Sequence, residues 1–174
     1  VLFLPPPLLP LQILWINLIT DGFPALALTV EPKERGLMDR KPRDPRASIL
    51  SGGISWHIAW VGTLMMFASL AVFIWADRNR SEDEARTLVF YLLTTFQVFH
   101  VLAIRVERNS VFTEGIFLNR HLILAIIITM LLQLLVIYAS PLQAAFSTVP
   151  LPPEDLLWIT LIGSSVFFAV EFEK

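Results

Sequence analysis

The chain has 174 residues, 55% of them hydrophobic, and a mean hydropathy of +0.66. That is too apolar for an ordinary soluble domain and too interrupted for one continuous core, so a membrane bundle is the class it fits. The net charge of −2 points to no partner, there is no basic patch with interleaved aromatics to suggest nucleic acid, and without cysteine there are no disulfides or thiolate metal sites.

In chain order, Val1 to Pro10 is a proline-broken apolar loop without a positive flank, so it does not read as a signal peptide. The first residue is Val1, and the chain reads as the C-terminal piece of something larger. A first span is expected from about Leu8 to Val30, using the ~20 residues a bilayer needs. Glu31 to Ser48 is a polar loop with Lys33, Arg35, Arg40, Lys41, Arg43 and Arg46. The second span is expected at Ile54 to Ala76, the third at Thr87 to Ile104, the fourth at His121 to Ala139 and the fifth at Leu156 to Val170. Asp77 to Arg86 is a short loop of mixed charge, Arg105 to Arg120 is basic, and Ser140 to Asp155 is proline-rich with no Lys or Arg. The expected fold is therefore an all-α membrane protein, a bundle of five transmembrane helices filling residues 1–174, with no soluble domain and no repeat.

Lys and Arg set the topology. The first loop holds six and the third three, against three in the second and none in the fourth. By the positive-inside rule the first and third loops are cytoplasmic, which puts the N-terminus outside and the C-terminus inside. Trp75, Tyr91, Tyr138 and Trp158 fall near the outer ends, and Trp56 and Trp60 near the inner end of the second span, as an aromatic belt would. Trp15 is the exception, well within the first span.

The first span carries the chemistry. Asp21 is the one Asp, Glu, Lys or Arg placed inside a span, and an acid at that depth is costly enough to read as an ion or proton site. Asn17, Thr20 and Asp21 stand at i, i+3 and i+4, one face of a helix. Gly22 and Pro24 follow; proline removes a backbone donor, so the helix is expected to be unwound or kinked near Thr20–Pro24 and to free carbonyl oxygens. Broken helices of this kind mark transport sites, and a carboxylate, an amide, a hydroxyl and spare carbonyls are ligands for hard cations. The bland alternative is a structural carboxylate, protonated or bonded to a neighbouring helix; the polar and helix-breaking neighbours weigh against it.

Leu14 to Asp21 with Gly22 and Pro24, followed by Met38-Asp39-Arg40-Lys41-Pro42-Arg43, resembles the sixth transmembrane helix of a P-type cation pump and the loop after it. The resemblance is to the calcium-pump-like branch, bacterial members included. It covers nearly the whole chain, since the later segments fit the remaining four spans. It implies the C-terminal transmembrane region of an ATP-driven cation transporter, calcium-type, in the cell membrane. Asn17, Thr20 and Asp21 match the family's cation ligands, with Asp21 as the bridging carboxylate. Gln97, in Thr94-Thr95-Phe96-Gln97-Val98-Phe99-His100, matches a position where animal sarcoplasmic calcium pumps carry a ligand glutamate; the missing charge puts a second bound calcium in doubt. On its own, a midspan glutamine equally suits an interhelical bond.

The resemblance also implies partners: the lipid bilayer, the upstream transmembrane helices and the cytoplasmic phosphorylation domain, which the loop bearing Asp39 and Arg40 would touch. Juxtamembrane charge meeting anionic lipid explains that loop equally well. No Asp-Lys-Thr-Gly motif and no nucleotide-binding domain lie in the chain, so ATP and Mg²⁺ belong to the full-length pump and this segment alone has no ATPase activity. Oxygen ligands leave Mn²⁺, Na⁺ or H⁺ open as the cargo. A non-enzymatic channel or scaffold module is the alternative of another class. His100 reads as a packing or interface residue, Gln133 as an interhelical hydrogen-bonding residue, and Gly52-Gly53 as a turn.

Overall fold

The computed structural model describes residues 5–32, 53–106, 110–115 and 117–174. Most of the basic loop after the first span, with Asp39, Arg40 and Gly52, lies outside the described residues. Among those described there is no strand. The helices are α1 (Pro10–Trp15), a π-helical segment (Ile16–Thr20), α2 (Gly22–Leu28), α3 (Ile54–Asn79), α4 (Glu82–Ile104), α5 (Val111–Glu114), α6 (Arg120–Tyr138), α7 (Ser140–Phe146) and α8 (Pro153–Glu173). Five stretches are long and apolar enough to cross a membrane: Pro10–Leu28, which joins α1, the π segment and α2, and helices α3, α4, α6 and α8.

Helix α4 is the axis of the bundle. Of its most apolar window 61% is buried, against 22–33% for the other four spans. It packs on α3, α6, α8 and the π segment. Its start is fixed by a capping box: Ser81 Oγ accepts from Glu84 N–H (3.3 Å), and Glu84 Oε2 accepts from Ser81 N–H (3.0 Å). Such a cap satisfies two of the orphan donors of a first turn. Inside the span Thr94 and Thr95 return their hydroxyls to the carbonyls of Phe90 and Tyr91, so neither leaves an unmet donor in the apolar core.

The α4–α8 contact is close because α8 offers Gly163 there. A Cβ on Gly163 would overlap the Thr95 methyl and lie 2.9 Å from Thr95 Cβ. Small residues let helix backbones approach where the hydrophobic effect gives no net pull between helices. One turn away the Tyr91 hydroxyl and Thr160 Oγ1 are hydrogen-bonded across the same interface at 2.9 Å.

The first span shows the expected irregularity, in a form the sequence did not foretell. It is not a stretch of unwound chain from Thr20 to Pro24. It is the π segment, in which Asp21 N–H donates to Ile16 O (3.2 Å), followed by a turn at Asp21 and renewed α-helix from Gly22. Pro24 is tolerated because it falls in the first turn of α2, where a backbone N–H has no helical acceptor to lose. Regular winding resumes directly after it, with Ala25 N–H donating to Asp21 O (3.1 Å).

The connection from α6 to α8, expected to be a plain loop, contains α7. Ser147 is left-handed (φ +52°), Thr148 Oγ1 donates to Val136 O (2.7 Å) and Gln143 Nε2 to Ile137 O (2.6 Å). These bonds fold α7 back on α6 and carry Phe146 into the bundle, where it is 8% exposed between Trp15 and Phe90.

Candidate cation site

The three ligand candidates of the first span lie at the end of the π segment and the turn after it. They do not share one environment. Thr20 is buried (2% exposed) and its Oγ1 has no partner, whereas Asn17 and Asp21 face away from the described bundle and make no side-chain hydrogen bond within it. The wider π turn is the reason: the i, i+3, i+4 face holds for 3.6 residues per turn, and an i→i+5 segment rotates Thr20 away from its neighbours. Gln97 lies on α4, the helix against which the π segment packs; it is half-buried, and its Oε1 is buried without a partner. Leaving a buried oxygen unpaired costs about 1–3 kcal/mol, so the first and third spans each hold one oxygen that a ligand could satisfy. No group of three or more His, Asp or Glu side chains converges among the described residues. What the first span offers is one carboxylate, Asp21, with neutral oxygens.

The span that carries these residues is held at both ends. On the α1 side, Gln12 is fully buried; its Oε1 accepts from Leu9 N–H (3.0 Å) and its Nε2 donates to Phe146 O (3.0 Å). Trp15 Nε1 donates to Gln133 Oε1 (2.9 Å), and its ring meets Phe146 edge-on at 5.2 Å. That places Gln133 as an interhelical partner, as its sequence context suggested, and explains a tryptophan so far inside a span. On the α2 side, Asn119 Nδ2 donates to Ala27 O (3.0 Å) and to Glu31 Oε2 (2.5 Å), while its Oδ1 caps α6 at Leu122 N–H (2.9 Å). Arg105, whose side chain is fully buried, pairs with Glu31 (3.4 Å) and with Gly115 O.

His100 is an interface residue. Its Nε2 lies 3.3 Å from Nε2 of His57 on α3, and His57 Nδ1 lies 2.6 Å from Glu173 Oε2 on α8. Ring centroids 5.6 Å apart in planes only 16° apart mean that the two nitrogens meet nearly head-on, the geometry of one shared N–H···N bond. His57 and Glu173 gave no signal in the sequence, because their pairing depends on a contact 116 residues apart. A cleft of about 680 Å³ lies beside them, lined by Trp56, Trp60, Phe168 and Phe172, and another of about 480 Å³ lies at Trp75 and Trp158; neither is at Asp21.

Comparison with known proteins settles the family. A family model described as "Cation transporting ATPase, C-terminus" matches residues 5–174. The chain belongs to this family. It is 41% identical over 166 residues, 94% of its length, to the "Calcium-transporting ATPase" of Bacillus subtilis (strain 168). It is 38% identical over 174 residues, 98% of its length, to the "Calcium-transporting ATPase type 2C member 2" of Rattus norvegicus, and 34% identical over 173 residues to "Calcium-transporting ATPase 1" of Bacillus cereus. It spans 18–20% of the length of these relatives. The expected C-terminal region of a P-type ATPase of the calcium-pump branch, membrane-embedded through several helices, is thus what the chain is.

Proposed function

We propose that the chain is the membrane part of an ATP-driven calcium transporter and that Asn17, Thr20, Asp21 and Gln97 supply part of its cation site. The observation that carries this reading is Asp21: an acid midway along a span, at the junction of a π segment and an α-helix, with no partner in the described bundle. Irregular backbone and an unpaired acid at membrane depth are features of ion pathways. Calcium is favoured because the similar proteins are named for calcium transport.

In this reading the five spans are the sixth to tenth of the pump. The loops at Glu31–Ser48 and Arg105–Arg120 face the cytoplasm, the N-terminal end lies outside, and the membrane is the cell membrane. Upstream helices complete the ligand shell. A cytoplasmic phosphorylation domain, using ATP and Mg²⁺, changes the site's access and affinity. Asp21 binds the cation directly and takes up protons on the return.

The test is Asp21→Asn in the full-length pump, read as Ca²⁺-dependent phosphorylation from ATP. Asparagine keeps the shape and one acceptor oxygen and loses the charge, which in a low-dielectric site should weaken calcium binding by about 100-fold or more. Unchanged calcium dependence would place the site elsewhere. The chain has no cysteine, so single introduced cysteines at Lys41 and Glu82, probed with an impermeant reagent, test the orientation. Labelling of both from one compartment would overturn it.

A further inference from the structure

We infer that Gln133 and Trp15 are a positioning pair for the cation site: their hydrogen bond fixes the residue from which the π segment starts. The inference rests on the assignment of Asn17, Thr20 and Asp21 as ligands.

Three observations converge on it. First, Gln133 is fully buried in the middle of α6, and although its Oε1 accepts from Trp15 Nε1 at 2.9 Å, its Nε2 has no partner. An apolar pair in place of both residues would fill similar space without leaving an amide unpaired, so the polar pair adds little to the fold unless its bond does something further. Second, Trp15 is the last residue of α1, and the backbone changes from α to π winding at Ile16. A π turn is intrinsically rare and holds only where its surroundings fix it. Third, the pair has a counterpart at the far side of the irregular stretch, where Asn119, the N-cap of the same helix α6, donates to Ala27 O at 3.0 Å. One regular helix thus holds the first span at Trp15 and at Ala27, and every candidate ligand of that span lies between those two points.

Loosening the Trp15 end lets the π segment relax toward α-helix, which turns Thr20 out of the buried face against α4, the helix that carries Gln97, and so separates the two buried unpartnered oxygens. The chemistry of the ligands is untouched, so the effect falls on cation affinity rather than on the maximal extent of phosphorylation.

The experiment is a double-mutant cycle in the full-length pump: Gln133→Leu, Trp15→Phe and both together, read as the Ca²⁺ dependence of phosphorylation from ATP, with Asp21→Asn alongside. Each single change is expected to raise the half-saturating Ca²⁺ concentration about three- to fifteen-fold, the range of one interhelical hydrogen bond in a membrane, with the maximal phosphoenzyme level retained. The double variant should be no weaker than the weaker single one, since both remove the same bond. Gln133→Glu, which keeps an acceptor oxygen in place, should restore affinity to within about two-fold of the parent. Thr129→Val, one turn away on α6, is the control for general packing and should leave affinity unchanged. Parental affinity in both single variants, additive losses in the double, or an equal loss in Thr129→Val would overturn the pair. Should Gln133→Leu fail to accumulate, Trp15→Phe decides, because it keeps the ring against Phe146. Full calcium dependence in Asp21→Asn would instead overturn the ligand assignment, whatever the cycle shows.

Discussion

Asp21 and Asp155 both lie in helices long enough to cross a membrane, and the bundle treats them in opposite ways. Asp155, in the first turn of α8, is 3% exposed; Arg80 grips it through two hydrogen bonds (2.9 and 3.1 Å), and Trp158 Nε1 adds a third (2.9 Å). Trp75 meets Trp158 edge-on at 5.3 Å and lies under the Arg80 guanidinium, so the Asp155 carboxylate is enclosed. Asp21 has none of this. A paired carboxylate ties the end of α3 to α8 and has no capacity left for anything else. An unpaired one on a π-to-α junction is free to take a cation. On the proposed function, that difference is what distinguishes a structural acid from a cation ligand.

The same change of Asp to Asn should therefore have unlike consequences at the two places. At Asp21 it should remove calcium dependence, a change of about 100-fold or more, and leave the thermal stability of the detergent-solubilised pump within about 0.5 kcal/mol of the parent, the usual range for sites without partners. Loss of stability with retained calcium affinity at Asp21 would reverse the comparison.

The closed cluster is best probed from its other partner. Arg80→Ala leaves the Asp155 carboxylate buried with only the Trp158 indole, and uncompensated buried charge is costly. Arg80 is itself 29% exposed, so the loss should be about 2–4 kcal/mol, at the lower part of the range for breaking a buried pair. Unfolding in a detergent–denaturant titration would measure it. Calcium affinity should not move.

The α4–α8 contact sharpens the contrast with the first span. Gly163→Val puts two methyl groups where even a Cβ meets Thr95 side-chain atoms, and overpacking of that kind costs about 1–3 kcal/mol. The same replacement at Gly22, where nothing lies within 4 Å of an added Cβ, should cost nothing, since valine is the better helix former by a few tenths of a kcal/mol. Equal losses at the two glycines would mean that the first span is packed as tightly as the axis of the bundle.

The sequence carried a good deal of this and lost the rest for identifiable reasons. Spans of ~20 apolar residues are read from hydropathy, because backbone polar groups in lipid leave the chain little choice but helix. Asp21 stood out because charge in a span is rare. Pro24 signalled a disturbance but misplaced it: proline is harmless in a first turn, and the irregular winding lies in the π segment before Asp21. Asp155 was read as a loop residue because α8 starts two residues before it, a boundary that three prolines obscure. Helix α7, the Gln133–Trp15 bond and the His100–His57–Glu173 chain were invisible, since each depends on side chains brought together from distant positions. Local periodicity says which face is apolar; it does not say what polar partner will be found there.

The smallest expected effect has the most informative sign. Thr20 Oγ1 and Thr129 Oγ1 are both buried hydroxyl oxygens without partners, one in the first span and one in α6. Valine has nearly the shape of threonine, so Thr→Val at either place removes an unsatisfied polar atom without opening a cavity. Replacing an unpaired hydroxyl by a methyl should stabilise the bundle by about 1 kcal/mol, against the usual trend for core substitutions. On stability the two variants should look alike. On calcium they should part. Thr20→Val deletes a neutral ligand beside Asp21 and should weaken affinity several-fold, less than the loss of the carboxylate, because a hydroxyl contributes a dipole where the carboxylate contributes a charge. Thr129→Val should leave affinity as it was. A pump made more stable and a poorer calcium binder by one substitution would show that the unmet hydroxyl in the first span is kept for the cation. If Thr20→Val instead lowered stability and left affinity unchanged, Thr20 would be an ordinary packing residue and the ligand set would shrink to Asn17, Asp21 and Gln97.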